Sequence, residues 1–576
     1  MLSSFSVHAK QRYQGPLSRT LSSVTFRQTP SSLWSQGVTG AGIGTGFANA
    51  VRVGIQTSRS VHGATTAATS DATAAFMSKH PALPTATLPK RGLVLSKLGF
   101  GAYRVNSSQS AHKAALVKAL QAGVNVIDTS SHFGHGASEK FIGETLGDLF
   151  KQDAIKREQL VVVSKAGFIL PRTTEFPTEV LENVPSYAAI SSTSYHSIHP
   201  NYLKAQISQS LDRLNMEKLD IFMLNNPERM LGDRMLPGGF SKSKLYKEIA
   251  EAFAYLDTEV EAGRIGGYGI CSNALHIPTT EDHLSLKTIL KTRQDFGWKL
   301  ENFVAIQAPL NLFERDLVTD AESTKSLATE AKEHDIFVFT NRPLNAIAAG
   351  QIVTLENKGQ HNRQENSVKL LETLDLGFSS LANMELDIKD MIEEESLAMK
   401  FVWSEVLSEN LSRLSSNYFA AKHFLEREVL PAIDRDLKML EDSTRDQPDL
   451  EDKDAILTWI HRYRREAQSL TKDIGLFCQM DSDKRNDELN LVLGLICHEF
   501  VSDVGENKVV DIGSPLSTKS IQYCIAHENV GCTLVGMRTP DYVHDAVAAA
   551  EASRRLTKRD LGLIEQCPLL LNTTSE

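Results

Sequence analysis

The sequence predicts an α/β fold, a (β/α)8 TIM barrel with a large helical insertion between strands seven and eight. Short apolar segments alternate with amphipathic stretches of 10–20 residues, which is typical of βαβ units in a parallel sheet. Eight apolar segments can be counted, and none is followed by the G-x-G-x-x-G pattern of an open dinucleotide-binding sheet. Eight strands without that pattern favour a closed barrel.

The predicted strands are short and rich in valine, isoleucine and phenylalanine. They cover residues 93–103, 124–128, 160–165, 219–225, 265–271, 303–309, 336–341 and 532–536. The intervening helices are predicted at Ala111–Ala122, Glu139–Phe150, Tyr202–Leu214, Lys247–Ala262 and Ser323–Glu333.

A charged, helical region separates the seventh strand from the eighth. Apolar residues recur there at three- and four-residue spacing, which predicts amphipathic helices over 387–414, 424–442 and 454–477. Two interpretations stay open: a helical subdomain that packs on itself and on the barrel, or a partner-binding platform. Because the region follows a barrel strand, it could also form a lid over the catalytic face. We therefore assign 90–350 to strands one to seven, 351–505 to the insertion, and 506–576 to strand eight and a C-terminal helix.

Composition excludes several classes of protein. The net charge of −10 argues against a general nucleic-acid binder. No apolar run approaches the ~20 residues that cross a bilayer, so no membrane span is predicted. The six cysteines form no Cys-x-x-Cys pair, which predicts structural thiols in a reducing compartment, without a metal site or a disulfide framework.

The first 70 residues contain no Asp or Glu but carry six Lys or Arg among many Ser, Thr, Ala and Gly. This composition is typical of an organelle transit peptide. We interpret residues 1–75 as a mitochondrial leader, which predicts a location in the matrix; a disordered tail and a plastid leader are the alternatives. Pro81, Pro84 and Pro89 are expected to form a short linker before the barrel.

Several sequence strings on successive predicted strands resemble the aldo/keto reductase family. They occur in the family's order, each on its own strand, and cover about 92–350 and 506–556. The strings are LGFGAYR (98–104), NVIDTSSHFGHGASEKFIGE (125–144), VVVSK (161–165), LDIFMLNNPE (219–228), GRIGGYGICSN (263–273), VAIQAPLNLFE (304–314), NRPLNA (341–346) and TLVGMRTPDYV (533–543).

The resemblance implies NADP(H)-dependent carbonyl reduction, without a metal, at the C-terminal mouth of the barrel. In the family a tyrosine donates a proton, a lysine paired with an aspartate lowers that tyrosine's pKa, and a histidine orients the carbonyl. The aspartate corresponds to Asp128 and the lysine to Lys165. Phe133 stands at the tyrosine position and Asn225 at the histidine position, so two of the four catalytic positions differ.

Phe133 has no hydroxyl to donate, whereas Asn225 could still donate an amide hydrogen bond. Loss of a general acid typically costs about 10²–10⁴ in rate. His132 and His135 flank Phe133 and are candidate substitutes, although strand alternation predicts that His132 points away from where residue 133 points. Tyr103 is a further phenol, interpreted either as a donor or as a wall of the pocket.

Cofactor positions also follow from the resemblance. Ser272, Asn273 and Gln307 match positions that hold the nicotinamide carboxamide, although a Ser-Asn pair could equally cap a helix. The match places the pyrophosphate against a group of residues in NRPLN: Arg342, Pro343, Leu344 and Asn345. Arg538, which follows Gly536, stands where an arginine meets the 2′-phosphate of NADP; the alternative is a surface ion pair. The stacking aromatic and a later asparagine of the family are replaced by Asn341 and Ala546.

Two functions remain open at this stage. The first is an NADP(H)-dependent oxidoreductase with an altered proton donor, acting slowly on a small carbonyl or sugar-like substrate. The second is an NADP(H)-binding pseudoenzyme whose insertion, residues 360–500, binds a mitochondrial partner. The long loop 167–200, which contains Tyr187 and Tyr195, is expected to set specificity or to be disordered.

Overall fold

The structure is a computed structural model that describes residues 67–170, 182–191, 193–232, 239–320, 324–348, 351–357, 363–392, 395–415, 418–446, 452–497, 514–553 and 556–571. The predicted leader lies outside these ranges except for its last residues, 67–75.

Eight parallel strands close into a barrel, as predicted. Around the barrel and in chain order they are β3 (Leu98–Gly101), β4 (Val126–Asp128), β5 (Val161–Ala166), β9 (Ile221–Asn225), β10 (Tyr268–Cys271), β11 (Phe303–Pro309), β12 (Phe337–Asn341) and β15 (Cys532–Val535). The ring closes where β15 pairs with both β12 and β3.

Both faces of these strands are buried. Alternate residues such as Val126, Val161 and Met223 fill the barrel interior. Their neighbours, such as Ile127 and Phe222, pack outward against the helices. This double burial explains why the strands form near-continuous apolar runs in the sequence.

Helices surround the barrel and connect its strands. They are α1 (Ser70–Met77), α2 (Ser110–Gln121), α3 (Ala137–Lys151), α4 (Pro200–Leu214), α5 (Lys242–Glu261), α6 (Leu286–Phe296) and α7 (Leu327–Glu333).

The first predicted strand is divided in two. Residues 93–96 form β2 (Leu93–Ser96), which pairs antiparallel with β1 (Thr85–Leu88), and only β3 belongs to the barrel. Pro89 of the predicted linker therefore lies in the turn of a hairpin, whereas Pro81 and Pro84 precede its first strand. The turn of that hairpin closes the N-terminal end of the barrel, because Lys90 Nζ donates to the backbone oxygens of Leu300 and Phe303, each at 2.9 Å.

Ordered structure also begins earlier than residue 75. Helix α1 starts at Ser70, and the Ala68 N–H donates to Asp220 Oδ1 at 2.7 Å. Asp220 is buried and forms an ion pair with Arg157 at 2.8 Å. The segment from Ala68 onward is thus joined to the barrel.

The insertion lies between β12 and β15, as predicted. Its elements are a hairpin, β13 (Asn345–Ala348) with β14 (Gln351–Thr354), followed by helices α8 (Arg363–Met391), α9 (Glu395–Ala398), α10 (Trp403–Glu409), α11 (Leu411–Ser415), α12 (Tyr418–Phe424), α13 (Leu430–Arg445) and α14 (Lys453–Ile496). The predicted helix 387–414 is interrupted in this structure, and the predicted helix 454–477 continues to Ile496.

Residues 363–480, which we call the helical arm, have an apolar core of their own. Phe401, Leu437 and Tyr463 lie in that core, which is separate from the core around the barrel. Glu385 is buried there and accepts hydrogen bonds from Tyr463 Oη at 2.7 Å and Ser404 N at 2.9 Å. The arm therefore packs mainly on itself.

Helix α14 joins the two cores. Its first two-thirds contribute Tyr463 and Ile474 to the arm, while Leu489 and Leu493 near its end pack in the barrel core. At 44 residues it is about 66 Å long.

The chain then returns through α15 (Leu516–Ala526), strand β15, α16 (Pro540–Ala552), α17 (Lys558–Glu565) and α18 (Pro568–Leu571). Among the helices of the described ranges, none combines the length and apolarity needed to cross a bilayer.

Candidate functional site

A buried ion pair lies at the C-terminal mouth of the barrel. Asp128 ends β4 and Lys165 lies near the end of the neighbouring β5, so parallel pairing brings the two side chains to one edge. Lys165 Nζ is 2.5 Å from Asp128 Oδ1, and both residues are at most 5% exposed. The two predicted catalytic residues that the sequence retains are therefore in contact.

Gln307 extends this pair. Its Nε2 donates to Asp128 Oδ1 at 2.9 Å, and its Oε1 accepts from Asn341 Nδ2 at 3.1 Å. The Cys271 thiol, whose pKa burial raises to about 12, also donates to Gln307 Oε1 at 3.1 Å. The amide that we expected on the nicotinamide is thus engaged with Asp128, Cys271 and Asn341.

Phe133 occupies the predicted tyrosine position. Its ring centroid is 5.4 Å from Lys165 Nζ, a cation–π distance. Tyr103 meets the Phe133 ring edge-on, with centroids 5.0 Å apart. Burial raises the pKa of Tyr103, which disfavours its phenolate. Tyr103 thus forms a wall of the site.

His132 lies in the site, and the expectation that it points away from it was wrong. Its backbone has φ −89° and ψ −11° at the start of a 3-10 turn, Phe133–Gly136, so strand alternation does not apply. The ring packs against Phe133 and Phe168, each with centroids 4.8 Å apart. His132 Nδ1 lies 2.8 Å from Ser130 Oγ and 3.2 Å from Asn225 Nδ2.

These contacts define the tautomer of His132. The Asn225 NH₂ group only donates, so its contact requires Nδ1 to accept. The single proton of Ser130 Oγ is then directed to Nδ1, 2.8 Å away, rather than to Lys165 O, 2.9 Å away. Nδ1 therefore accepts, and the ring proton lies on Nε2. Burial, followed by the charge of Lys165, lowers the pKa of His132 to about 3. The ring is a neutral hydrogen-bond donor, a form that can polarise a carbonyl oxygen.

His196 supports this arrangement and was missed as an individual residue. It lies on β8 (Tyr195–His196), which pairs with β6 (Phe168–Ile169) and β7 (Ala188–Ala189) in the loop after β5. Its Nε2 donates to the backbone oxygen of Asn225 at 2.7 Å. At Gly167, a Cβ atom would lie 2.4 Å from both of these atoms, so a side chain cannot be accommodated. The signal in the sequence that could have identified His196 was its place in a loop that follows a barrel strand.

The predicted carboxamide residues Ser272 and Asn273 meet a buried carboxylate. Ser272 Oγ donates to Glu228 Oε2 at 2.8 Å, and the Asn273 N–H donates to Oε1 at 3.1 Å. Asn226 Nδ2 also donates to Oε1, at 2.8 Å, and burial raises the pKa of Glu228. Sequence reasoning missed Glu228. Within the described residues the side-chain amide of Asn273 has no partner and is available to a ligand.

Arg342 holds the loop after β12. Its backbone is left-handed (φ 57°), and its guanidinium pairs with Glu314. Glu314 also accepts from the Ile347 N–H at 2.9 Å, which fixes β13. Leu344 and Asn345, half-buried, follow Arg342 and start the β13–β14 hairpin. Arg342 is one of the residues predicted to contact the pyrophosphate, and its guanidinium is instead used in an ion pair within the protein.

Gly536 and Arg538, which the resemblance assigns to the 2′-phosphate, lie directly after β15. Gly536 is exposed, with no atom within 4 Å of where a Cβ would lie. Arg538 is half-exposed, and it forms no hydrogen bond or ion pair with any residue the structure describes. Helix α16, capped by Thr539, begins directly after it. Ala546, at the position of the family's asparagine, is buried.

No group of three or more His, Cys, Asp or Glu in the described part of the chain could hold a metal ion.

Comparison with known proteins gives one family. A family model described as the aldo/keto reductase family matches residues 97–422. The chain is 29% identical over 155 residues to a D-threo-aldose 1-dehydrogenase of a Pseudomonas species, which covers 26% of this chain and 45% of that protein. It is 24% identical over 194 residues to an NADH-specific methylglyoxal reductase of Escherichia coli, covering 32% and 51%.

A third relative is an NAD(P)H-dependent D-xylose reductase I,II of Candida tropicalis, 23% identical over 203 residues, covering 34% of this chain and 52% of that protein. The chain thus spans about half the length of these curated relatives.

Two solved structures are similar to this chain at TM-scores below 0.5. An aldo-keto reductase of Bacillus halodurans in its holo form is 16% identical, with a TM-score of 0.42, covering 84% of this chain and 95% of that one. A glycerol dehydrogenase of Gluconobacter oxydans is 15% identical, with a TM-score of 0.42, covering 85% and 96%.

Proposed function

Because this chain belongs to the aldo/keto reductase family, we propose that it is an NADP(H)-dependent oxidoreductase that acts on a small carbonyl or sugar-like substrate. The observation that carries this proposal is the buried Lys165–Asp128 ion pair at the barrel mouth. A buried pair of this kind costs desolvation energy and is weak evidence for stability alone, which favours a functional role.

The cofactor would extend from Asn273 at one end of the site to Arg538 at the other. Arg538 and Gly536 suit the 2′-phosphate, because a guanidinium forms paired hydrogen bonds with phosphate oxygens. Leu344 and Asn345 would face the pyrophosphate, and Asn273 offers its free amide to the carboxamide. When bound, the nicotinamide group supplies hydride chemistry. Arg538 is the reason to propose NADP(H) rather than NAD(H).

His132 would take the place of the missing tyrosine as the donor to the substrate oxygen. Its neutral ring donates from Nε2, while Asn225 and Ser130 hold Nδ1. Lys165 adds positive charge behind the aromatic wall of Phe133. A neutral imidazole polarises a carbonyl but gives up its proton less readily than a phenol beside a lysine, so slow turnover is expected.

The substrate class rests on the relatives and on the wall of the site. Relatives are named for reduction or oxidation of aldoses, xylose and methylglyoxal. Phe133 and Phe168 pack against His132, and Tyr103 packs against Phe133. The C–H faces of a small sugar or aldehyde could pack on these aromatic rings.

A second candidate is an NADP(H)-binding pseudoenzyme whose arm binds a mitochondrial partner through residues 360–500. The observation that favours it is Phe133, since the ring beside Lys165 at the predicted tyrosine position carries no hydroxyl. For either function we propose a mitochondrial location, supported by the acid-free composition of residues 1–70.

The deciding experiment is a fluorescence titration of the full chain with NADPH, followed by turnover with a panel of aldehydes, ketones and aldoses. Binding with turnover that Lys165→Met abolishes supports the enzyme, with the exposed Lys113→Met as control. Binding without turnover on any substrate supports the pseudoenzyme. Absence of NADPH binding contradicts both.

A further inference from the structure

Helix α14, which extends out of the helical arm, contacts the hairpin that follows the loop proposed to face the cofactor, and a buried side chain contributes to that contact. Asn486 of α14 is 4% exposed. Its Nδ2 donates to the backbone oxygens of Thr354 at 2.9 Å and Glu356 at 3.2 Å. Both hydrogens of the amide are therefore used on the end of β14.

The same strand is paired with the proposed cofactor residues. Thr354 lies directly opposite Asn345 in the hairpin. The next residue, Leu355, donates its N–H to Leu344 O at 2.9 Å. Thr354 and Leu355 thus hold Asn345 and Leu344 in position. Asn486 in turn holds this end of β14 through the backbone oxygens of Thr354 and Glu356.

The contact is reinforced on both sides. Asn357 Nδ2 donates to Asp487 Oδ1 at 2.6 Å, one residue further along each segment. Helix α12 also lies against β14. On the barrel side, Ser520 Oγ donates to Pro343 O at 2.5 Å. The hairpin is therefore held between the barrel and the helix that forms the axis of the arm.

We infer that Asn486 is a positioning residue for the cofactor and that it couples the helical arm to the cofactor site. This inference rests on the proposed function. Asn486 bonds to β14 and not to β13, which carries Asn345. It therefore acts on the cofactor through Leu344 and Asn345. Because coupling between two sites is reciprocal, cofactor binding should also stabilise the segment of α14 around Asn486.

The test is Asn486→Asp, which keeps the size of the side chain but turns an oxygen toward two carbonyl oxygens. Leaving those acceptors unpaired is unfavourable, and we expect the Kd for NADPH to rise about tenfold. We also expect faster hydrogen exchange over 344–357. The matched control is Glu488→Gln, an exchange of carboxylate and amide on the exposed side of the same helix, where the side chain makes no hydrogen bond to the described residues of the hairpin; its Kd should equal that of the wild type.

A wild-type measurement tests the inference without any variant. NADPH should slow hydrogen exchange in residues 484–490 of the native chain, so a poorly folded variant does not end the test. If the wild type binds NADPH but neither this protection nor the effect of Asn486→Asp is seen, the inference is wrong and the proposed function stands. If the wild type does not bind NADPH, the proposed function and the inference fail together.

Discussion

The side-chain amide of Asn225 lies 3.2 Å from Nδ1 of His132. Asn225 stands where the family has a histidine, and the imidazole contributed by residue 132 lies beside it. An imidazole therefore lies next to the position that corresponds to the family's histidine, and the amide of Asn225 donates to that ring.

The first prediction concerns His132. Replacing it with phenylalanine keeps the aromatic packing on Phe168 but removes the Nε2 donor. We expect kcat to fall about 10²-fold, the lower range for a lost acid–base group, with the Kd for NADPH unchanged. Steady-state kinetics and titration measure the two quantities. His135→Phe, three residues later on the exposed part of the turn, is the control; an unchanged kcat for His132→Phe would exclude the proposed role.

The second prediction is a gain of activity. Phe133→Tyr adds a hydroxyl to a partly exposed ring that already lies 5.4 Å from Lys165 Nζ. A nearby ammonium lowers the pKa of a phenol, so we expect kcat to rise by about 10²-fold or more. Phe168→Tyr adds the same hydroxyl elsewhere in the aromatic cluster and should give no gain. If Phe133→Tyr is also inert, the Asp128–Lys165 pair is not arranged for this chemistry.

The third prediction separates the two nicotinamide cofactors. Arg538→Gln removes a guanidinium after β15 that has no partner among the described residues and that only the 2′-phosphate of NADPH should need. We expect the Kd for NADPH to rise by about tenfold or more, the range of a charge-assisted hydrogen bond, while NADH binding is unchanged. Titrations with both cofactors test this. Equal losses for NADPH and NADH would show that Arg538 does not read the 2′-phosphate.

The fourth prediction is acid sensitivity. Burial lowers the pKa of His132, His196, His276 and His527 to about 3, against 6.5 for an exposed histidine. The native state keeps these rings neutral while the unfolded state binds protons, so their contribution to stability is complete above pH 6.5. It is lost as the pH falls toward 3, by about 1.4 kcal/mol per pH unit for each ring.

Urea unfolding at a series of pH values measures this slope. His276→Leu should reduce the slope between pH 6 and pH 4 by about one proton, because the buried ring of His276 has no partner for either nitrogen among the described residues. His544→Leu, on the exposed face of α16, is the control. Equal slopes for His276→Leu and the wild type would contradict the prediction.

The fifth prediction follows from the separate core of the arm. Phe401 is fully buried there among Trp459 and Tyr463. Phe401→Ala should destabilise the arm by about 3–5 kcal/mol, typical of a large cavity. Hydrogen exchange should then be accelerated in α8 and the first half of α14, but not in β5 or β11. Uniform acceleration would mean that the arm and the barrel unfold as one unit.

Much of the fold could be predicted because it depends on local patterns. The eight strands were recognised from apolar runs that are buried on both faces, and the order of the strands fixed the place of the insertion. The division of 93–103 into β2 and β3 could not be recognised, since it depends on Asn125, whose Oδ1 accepts from the Ser96 N–H at 2.8 Å. Such a contact between distant residues leaves no periodicity in the sequence.

In the site, the Asp128–Lys165 pair was predictable because each residue ends a strand. The contacts of His132, Glu228 and His196 were not, since they depend on a 3-10 turn and on loops that fold across from neighbouring strands. The interruption of the helix predicted at 387–414 is a similar case, because Glu385 binds Ser404 across the break.

The position of β15 has a consequence for how the chain acquires its fold. Thr533 pairs with Thr340 on one side and with Leu98, near the start of the barrel, on the other. The barrel cannot close until this last strand has been synthesised, whereas the arm is built from contacts within one continuous segment. During synthesis, the first seven strands should therefore form an open sheet with two unpaired edges at a stage when the arm has already folded. Long-range pairing of this kind is slow, and its open edges expose the nascent chain to aggregation.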